Sequence, residues 1–269
     1  MVNIKVKNFD LAHICESGQC FRMIQPEPDK YEIIATDKYL RAEQHDDEVI
    51  FYCSEEEYEN FWRHYFDLDT DYQVFKDAVD PEDEYLNAAV KLGSGIRILN
   101  QDLWEMIVSF LISQQNNITR IRKCINNICM KYGEKKTAED GTVYYSFPEP
   151  EAFLGLPEDA LMECNLGYRS KYVVRTAKMI VEGAVSLETI EKMSYKEAKD
   201  ELLKLYGVGK KVADCICLFA LHKLEAFPID THINQALNAS YPEGFPFDRY
   251  DGFEGVIQQY IFFYELFGK

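Results

Sequence analysis

A chain of 269 residues, 47% hydrophobic and 28% charged, has the make-up of one large globular domain or two modest ones, which excludes a disulfide-stapled miniprotein, a disordered tail and a fibrous repeat. The net charge of −17 argues against a nucleic-acid partner until its distribution is read: residues 1–90 carry 8 Lys+Arg against 22 Asp+Glu, whereas residues 91–217 carry 18 against 17, so a polyanion would meet the middle of the chain. No run of 18 apolar residues and no signal-type start occurs, so the expectation is no membrane contact and a cytoplasmic location. The eight scattered cysteines form no CxxC pair and read as reduced, buried thiols rather than ligands of zinc or an iron–sulfur cluster.

Residues 4–53 hold five short alternating segments, IKVKNF, CFRMIQ, YEIIAT, KYLRAEQ and EVIFYCS, parted by polar breaks such as QPEPDK and HDDE. They predict an antiparallel sheet. The period then changes from 2 to 3.6: Ser54 with Glu57 makes a capping box, and Tyr58, Phe61, Trp62 and Tyr65 mark an amphipathic helix. Asp102 with Glu105 opens another helix, whose stripe Leu103, Ile107, Phe110 and Leu111 leads into SQQNNITR, and Ser194 with Glu197 opens a third. From about residue 85 the pattern is helices joined by short turns, with 133–150 the one long irregular stretch. The expected fold is α+β: residues 1–85 an N-terminal twisted antiparallel β-sheet domain with a flanking helix, residues 86–269 an all-helical body.

The segment from Leu205 to His232, LYGVGKKVADCICLFALHKLEAFPIDTH, carries the chemistry. Gly207-Val208-Gly209 lies between two helices, and two glycines around one aliphatic residue let the chain turn tightly with several N–H groups pointing outward at a helix start. Such a turn is either a plain connector or an anion site for a phosphate. Two lysines in the next turn, Lys210 and Lys211, oppose the helix dipole, an unusual choice for structure alone and a useful one for an amine nucleophile. Asp230, after Pro228-Ile229, suits an N-cap by itself and gains a chemical reading only beside the lysine and the glycine turn.

With GVGKKVADCICLFAL and FPIDTH in view, the sequence resembles the helix-hairpin-helix DNA glycosylase superfamily, and within it the 8-oxoguanine DNA glycosylases. ESGQCFR, YFDLD, GIRILNQDLWEMIVSFLISQQNNITRI, LGYRSKYV and the terminal helix extend the resemblance along most of the chain. It implies a twisted antiparallel sheet followed by a helical glycosylase body with the hairpin at 205–212. By resemblance, Lys211 attacks C1′ of the damaged nucleoside, expels the base and forms a Schiff base from which β-elimination nicks the strand, with Asp230 stabilising the oxocarbenium-like charge. The substrate nucleotide is flipped out of double-stranded DNA. Phe263 would stack on the flipped base, Cys215 pack on its other face, Gln259 read the Watson–Crick edge, and the Gly18 carbonyl accept the N7–H that distinguishes 8-oxoguanine from guanine. Apart from the family, Phe263 also reads as a core aromatic and Gly18 as a turn residue, beside a stripe of Phe253, Val256, Ile257, Tyr260, Ile261 and Tyr264.

The resemblance also places Gln115, Asn117 and Arg120 against the orphaned cytosine and the gap, with Tyr168 as a wedge and Arg169 as a second base reader. Gly207, Gly209 and His232 would contact the phosphate backbone. A cation at the hairpin carbonyls, bridging to a DNA phosphate, is the sole cofactor implied, and a monomer is expected. Gln115 stands where the family has a gap-filling asparagine, which leaves strict preference for cytosine opposite the lesion open, and Tyr206 stands where it has a proline, which bears on hairpin rigidity more than on chemistry. The absence of cysteines after Cys217 speaks against the branches with a C-terminal iron–sulfur cluster. The alternatives are a glycosylase for another lesion such as alkylated bases, a non-catalytic DNA-binding module, and a protein–protein scaffold.

Overall fold

In the computed structural model, which describes residues 1–268, the alternating segments form β1 (Val2–Lys5), β2 (Met23–Glu27), β3 (Lys30–Ala35), β4 (Lys38–His45) and β5 (Glu48–Phe51). They make one antiparallel sheet in the order β1-β5-β4-β3-β2. Ile33 lies opposite Leu40 and Ala42 opposite Phe51, so the alternation puts Tyr31, Ile33, Leu40, Ala42, Val49 and Phe51 on the buried side. Between the first two strands the chain also forms α1 (Leu11–Glu16), capped by Asp10, whose carboxylate accepts from the Ala12 and His13 amides. Six residues are too few to show a helical period, which is why the pattern missed it.

The following helix has three parts, α2 (Glu55–Glu57), a π turn at Tyr58–Trp62 and α3 (Arg63–Tyr65). Ser54 accepts from the Glu57 amide as expected, but the Glu57 carboxylate does not return the bond; it accepts from the Trp62 indole at 2.7 Å. The body consists of α4 (Gln73–Asp77), α5 (Glu84–Leu92), α6 (Leu103–Ser113), α7 (Ile118–Tyr132), α8 (Ser170–Val181), α9 (Leu187–Glu191), α10 (Tyr195–Leu202), α11 (Lys210–Phe219), α12 (Thr231–Ser240) and α13 (Glu254–Phe267). Every residue of α6 from Leu103 to Ile112 is buried, so this helix is the axis of the body rather than an amphipathic surface helix. The expectation of an all-helical body needs one correction. β6 (Lys135–Thr137) and β7 (Val143–Tyr145) pair as a hairpin inside the stretch read as irregular, each strand being too short to display a period of two.

Two cores share the molecule. One lies under the sheet and draws on residues from Phe9 to Phe66 together with Leu99; the other contains Phe21 and runs from Tyr72 to Phe263. Tyr72 and Val79 thus pack with the helices, and the sheet's own core stops well short of residue 85. The seam between the cores is polar and paired. Buried Arg22 reaches Glu105 of α6 at 3.2 Å and also donates to the Thr36 and Tyr145 carbonyls. Asp67 accepts from the Tyr72 hydroxyl at 2.8 Å and pairs with His222 at 3.2 Å.

Candidate active site

The turn between α10 and α11 uses its two glycines for different reasons. Gly207 has φ +89°, and a Cβ there would lie 2.7 Å from Cγ of Tyr172 on α8, so both backbone and packing require glycine. Gly209 has φ −99°, and a Cβ there would meet nothing within 4 Å. It is the N-cap of α11 and supplies no side-chain hydrogen bond, which leaves the first-turn amides of α11 facing outward without a cap. The bare backbone, open space and positive helix end together leave amide donors open to an approaching anion.

Lys210 is exposed, whereas Lys211 is half-buried with its ammonium 5.5 Å from the centre of the Phe110 ring. One turn further, buried Cys215 has its thiol pushed up by burial, pulled back by the Lys211 ammonium, and raised again by the charges of Asp214 and then Asp230. Lys211 and Cys215 thus lie one turn apart on the same face of α11. Asp230 is also the N-cap of α12, accepting from the Ile233 amide at 2.8 Å, and the cap fixes the carboxylate's rotamer. His232 is exposed in the first turn of the same helix.

Gly18 sits in a left-handed turn, φ +75°, held by fully buried Gln19, which donates to the Arg97 carbonyl at 2.8 Å and accepts from the Leu99 amide at 2.9 Å. The ring facing Gly18 is that of Phe262, 3.0 Å from where its Cβ would stand. Phe263 points elsewhere: it is 6% exposed and packs on His13 and Phe267, with ring centres 5.1 and 4.7 Å away. Gln258 donates to the Pro228 carbonyl, two residues before Asp230, at 3.1 Å, while buried Gln259 donates to the Gln258 side chain. The pair drawn from sequence, Gln259 and Phe263, is not the pair that reaches Pro228 and Gly18. Gln258 and Phe262 point toward Pro228 and Gly18 instead, because neighbouring helical residues diverge by about 100°. QQYIFF contains two Gln/Phe pairs at the same spacing, so the sequence held no signal to choose between them.

At the start of α7, Asn117 caps the helix by accepting from the Arg120 amide at 2.9 Å, and the Arg120 side chain is exposed. Tyr168 is 47% exposed at the tip of its turn, with the Arg169 guanidinium 4.5 Å from its ring centre. Arg169 is 4% exposed and, in contrast to the role drawn from sequence, directs its guanidinium inward to the carbonyls of Gln114, Gln115 and Leu166. Gln115 is exposed with φ +48°. Gln114, which sequence reading passed over, links this loop to the hairpin by donating to the Gly207 carbonyl at 3.1 Å.

A five-stranded antiparallel sheet, a helical body and a glycine hairpin that opens a helix with two lysines mark the helix-hairpin-helix class of base-excision repair proteins. Residues 1–107 match the N-terminal domain of 8-oxoguanine DNA glycosylase, and residues 108–243 match the HhH-GPD superfamily of base-excision DNA repair proteins. An N-glycosylase/DNA lyase of Saccharomyces cerevisiae is 31% identical over 262 residues, covering 86% of this chain and 68% of the yeast protein. Among solved structures, MBOgg1 in complex with a low-affinity DNA ligand superposes with a TM-score of 0.93 at 33% identity over 99% of this chain and 96% of its own. The 8-oxoguanine glycosylase/lyase of Clostridium acetobutylicum, bound to double-stranded DNA with cytosine opposite 8-oxoguanine, gives 0.90 at 39% identity over 96% and 92%. The chain belongs to the 8-oxoguanine DNA glycosylase family of the HhH-GPD superfamily.

Proposed function

We propose that this protein excises 8-oxoguanine from double-stranded DNA and cleaves the strand at the resulting site, with Lys211 as the nucleophile. The half-buried Lys211 in the first turn after the uncapped Gly209, with the Asp230 carboxylate fixed as the cap of the next helix, carries this reading. The Lys211 amine bonds to C1′ as the N-glycosidic bond breaks, and the electron pair leaves with the base, which takes up a proton. Opening of the sugar ring gives the Schiff base, and loss of a C2′ proton then expels the 3′ phosphate. The Asp230 carboxylate stabilises positive charge on the sugar in the transition state. The Phe262 ring and Cys215 hold the flipped base between them, Gln258 reads its Watson–Crick edge, and the Gly18 carbonyl accepts N7–H. Gln115, Asn117, Arg120 and Tyr168 face the gap, while Gly207, Gly209 and His232 meet the backbone. A cation at the hairpin would rest on its carbonyls and bridge to a DNA phosphate; those of Tyr206 and Gly207 already accept one hydrogen bond each, from Thr176 and Gln114. Among the described residues no helix is long and apolar enough to cross a membrane. Work on DNA as a monomer in the cytoplasm, or on the nucleoid of a prokaryotic cell, fits this reading.

Borohydride trapping on an 8-oxoguanine duplex tests it. Wild type and Lys210→Gln form the trapped adduct, and Lys211→Gln loses both trapping and cleavage while still binding DNA. A Lys210→Gln variant that loses trapping while Lys211→Gln keeps it overturns the assignment. Release of an alkylated base in place of 8-oxoguanine would favour the other-lesion alternative.

A further inference from the structure

We propose that Gln114 is a positioning residue that couples the gap side of the DNA site to the turn carrying Lys211, an inference that rests on the glycosylase reading above. Gln114 ends α6, at φ −59° and ψ 122°, and hydrogen-bonds in two directions. Its side-chain amide donates to the Leu111 carbonyl at 3.3 Å and to the Gly207 carbonyl at 3.1 Å, across 93 residues of sequence. Its main-chain carbonyl accepts from Nε of Arg169 at 2.8 Å and also from Nη2, which reaches the Gln115 carbonyl at 2.8 Å. Arg169 follows the exposed Tyr168 directly. One residue is thus tied to the tyrosine turn through its backbone and to the lysine turn through its side chain.

Two further observations make this more than a loop closure. Gln115 holds a left-handed backbone, φ +48°, which costs a residue with a Cβ roughly 1–2 kcal/mol, yet its side chain is exposed and packs no core. The strain projects a side chain toward solvent on the gap side, and the Arg169 bonds to the carbonyls on either side of Gln115's nitrogen and Cα maintain it. At the other end, the Gly207 carbonyl and the Val208 amide belong to one planar peptide. A donor fixed on that carbonyl sets the plane of the peptide leading into Gly209 and the outward amides of α11. Gly207 alone among the turn residues has a positive φ, so this is the point where the turn can pivot. A base or an empty space in the gap changes the load on residues 115–117, and Gln114 passes that change to the pivot before Lys211.

Single-turnover excision is measured on three 8-oxoguanine duplexes, with cytosine, adenine or an abasic analogue opposite the lesion, alongside equilibrium binding and thermal melting. Wild type excises at rates that depend on the opposite position. Gln114→Leu, which keeps bulk and removes the donor, slows the cytosine duplex about fivefold or more, merges the three rates, and changes binding much less than rate. Arg169→Lys, which keeps the charge and removes the fork, does the same from the other end and decides the matter if Gln114→Leu melts early. Uniform slowing that preserves the spread, unchanged rates, or a wild type indifferent to the opposite position would each overturn the coupling. Failure of wild type to form a borohydride adduct would instead overturn the glycosylase reading itself.

Discussion

Two Gln/Phe pairs sit one residue apart on α13, and substitutions distinguish what each does. Phe262→Ala removes the ring facing Gly18 and should lower excision by at least about tenfold, an effect of ~1.4 kcal/mol on the transition state, with modest loss of stability because Phe262 is only half-buried. Phe263→Ala should do the reverse. Its ring fills a packed position against His13 and Phe267, so the expected cost is about 3–5 kcal/mol of stability, with near-wild-type excision at low temperature. Chemical denaturation and single-turnover kinetics on both variants check this, and equal kinetic loss would return Phe263 to the site. Asp230→Asn separates the two duties of one carboxylate. Asparagine caps as well as aspartate, so stability should hold, while excision slows far more than binding weakens, since the charge acts on the transition state. Equal activity of the Asn variant would leave Asp230 with its cap alone.

At the scale of the hairpin, the two glycines make opposite forecasts. Alanine at 207 meets both a left-handed backbone and the Tyr172 ring, so it should cost roughly 1–2 kcal/mol from the dihedral alone and more from the clash. Alanine at 209 points into open space from an ordinary backbone and should cost less than about 1 kcal/mol, the scale of an N-cap change. Its methyl group nevertheless stands where a phosphate must approach, so duplex affinity should fall by more than folding stability does. Melting curves and binding isotherms for the pair would show this, and a Gly209→Ala protein with wild-type affinity would remove the hairpin from the DNA interface.

For the whole molecule, the seam at Asp67 sets an acid limit. Burial pushes the Asp67 carboxyl up, but hydrogen bonds from His222, Thr70 and Tyr72 outweigh it and hold the group below its usual range. A carboxyl depressed in the fold contributes stability that is complete above the ordinary value near ~4 and is lost as pH falls through the lower folded value. Asp67→Asn should therefore cost about 1–3 kcal/mol at pH 7 and progressively less in acid below that range. A cost independent of pH would mean that packing rather than charge holds the seam. Binding carries the opposite electrostatic signature. With residues 1–90 strongly acidic and Arg169 turned inward, few cations remain for phosphates, so log K against log salt should have a slope shallower than about −4. A steep slope would reveal a basic face that the charge distribution does not show.

Alternation in residues 4–53 determined the sheet, since a period of two with polar breaks has one economical solution when one face is buried. The glycine spacing likewise determined the hairpin turn and the helix start that follows it, because backbone freedom and a helix start are local properties written in consecutive residues. What was not local stayed hidden. The choice between Gln258/Phe262 and Gln259/Phe263 depends on the rotation of α13 against Gly18, set by packing from distant segments. The inward turn of Arg169 depends on carbonyls of Gln114 and Gln115, which lie more than 50 residues earlier. The short α1 and the β6–β7 hairpin carry too few residues to show a period and are stabilised by the surfaces they cover. Chemistry-bearing residue types were thus legible in the sequence, while the direction in which each side chain points was decided by the tertiary contacts that fix its backbone.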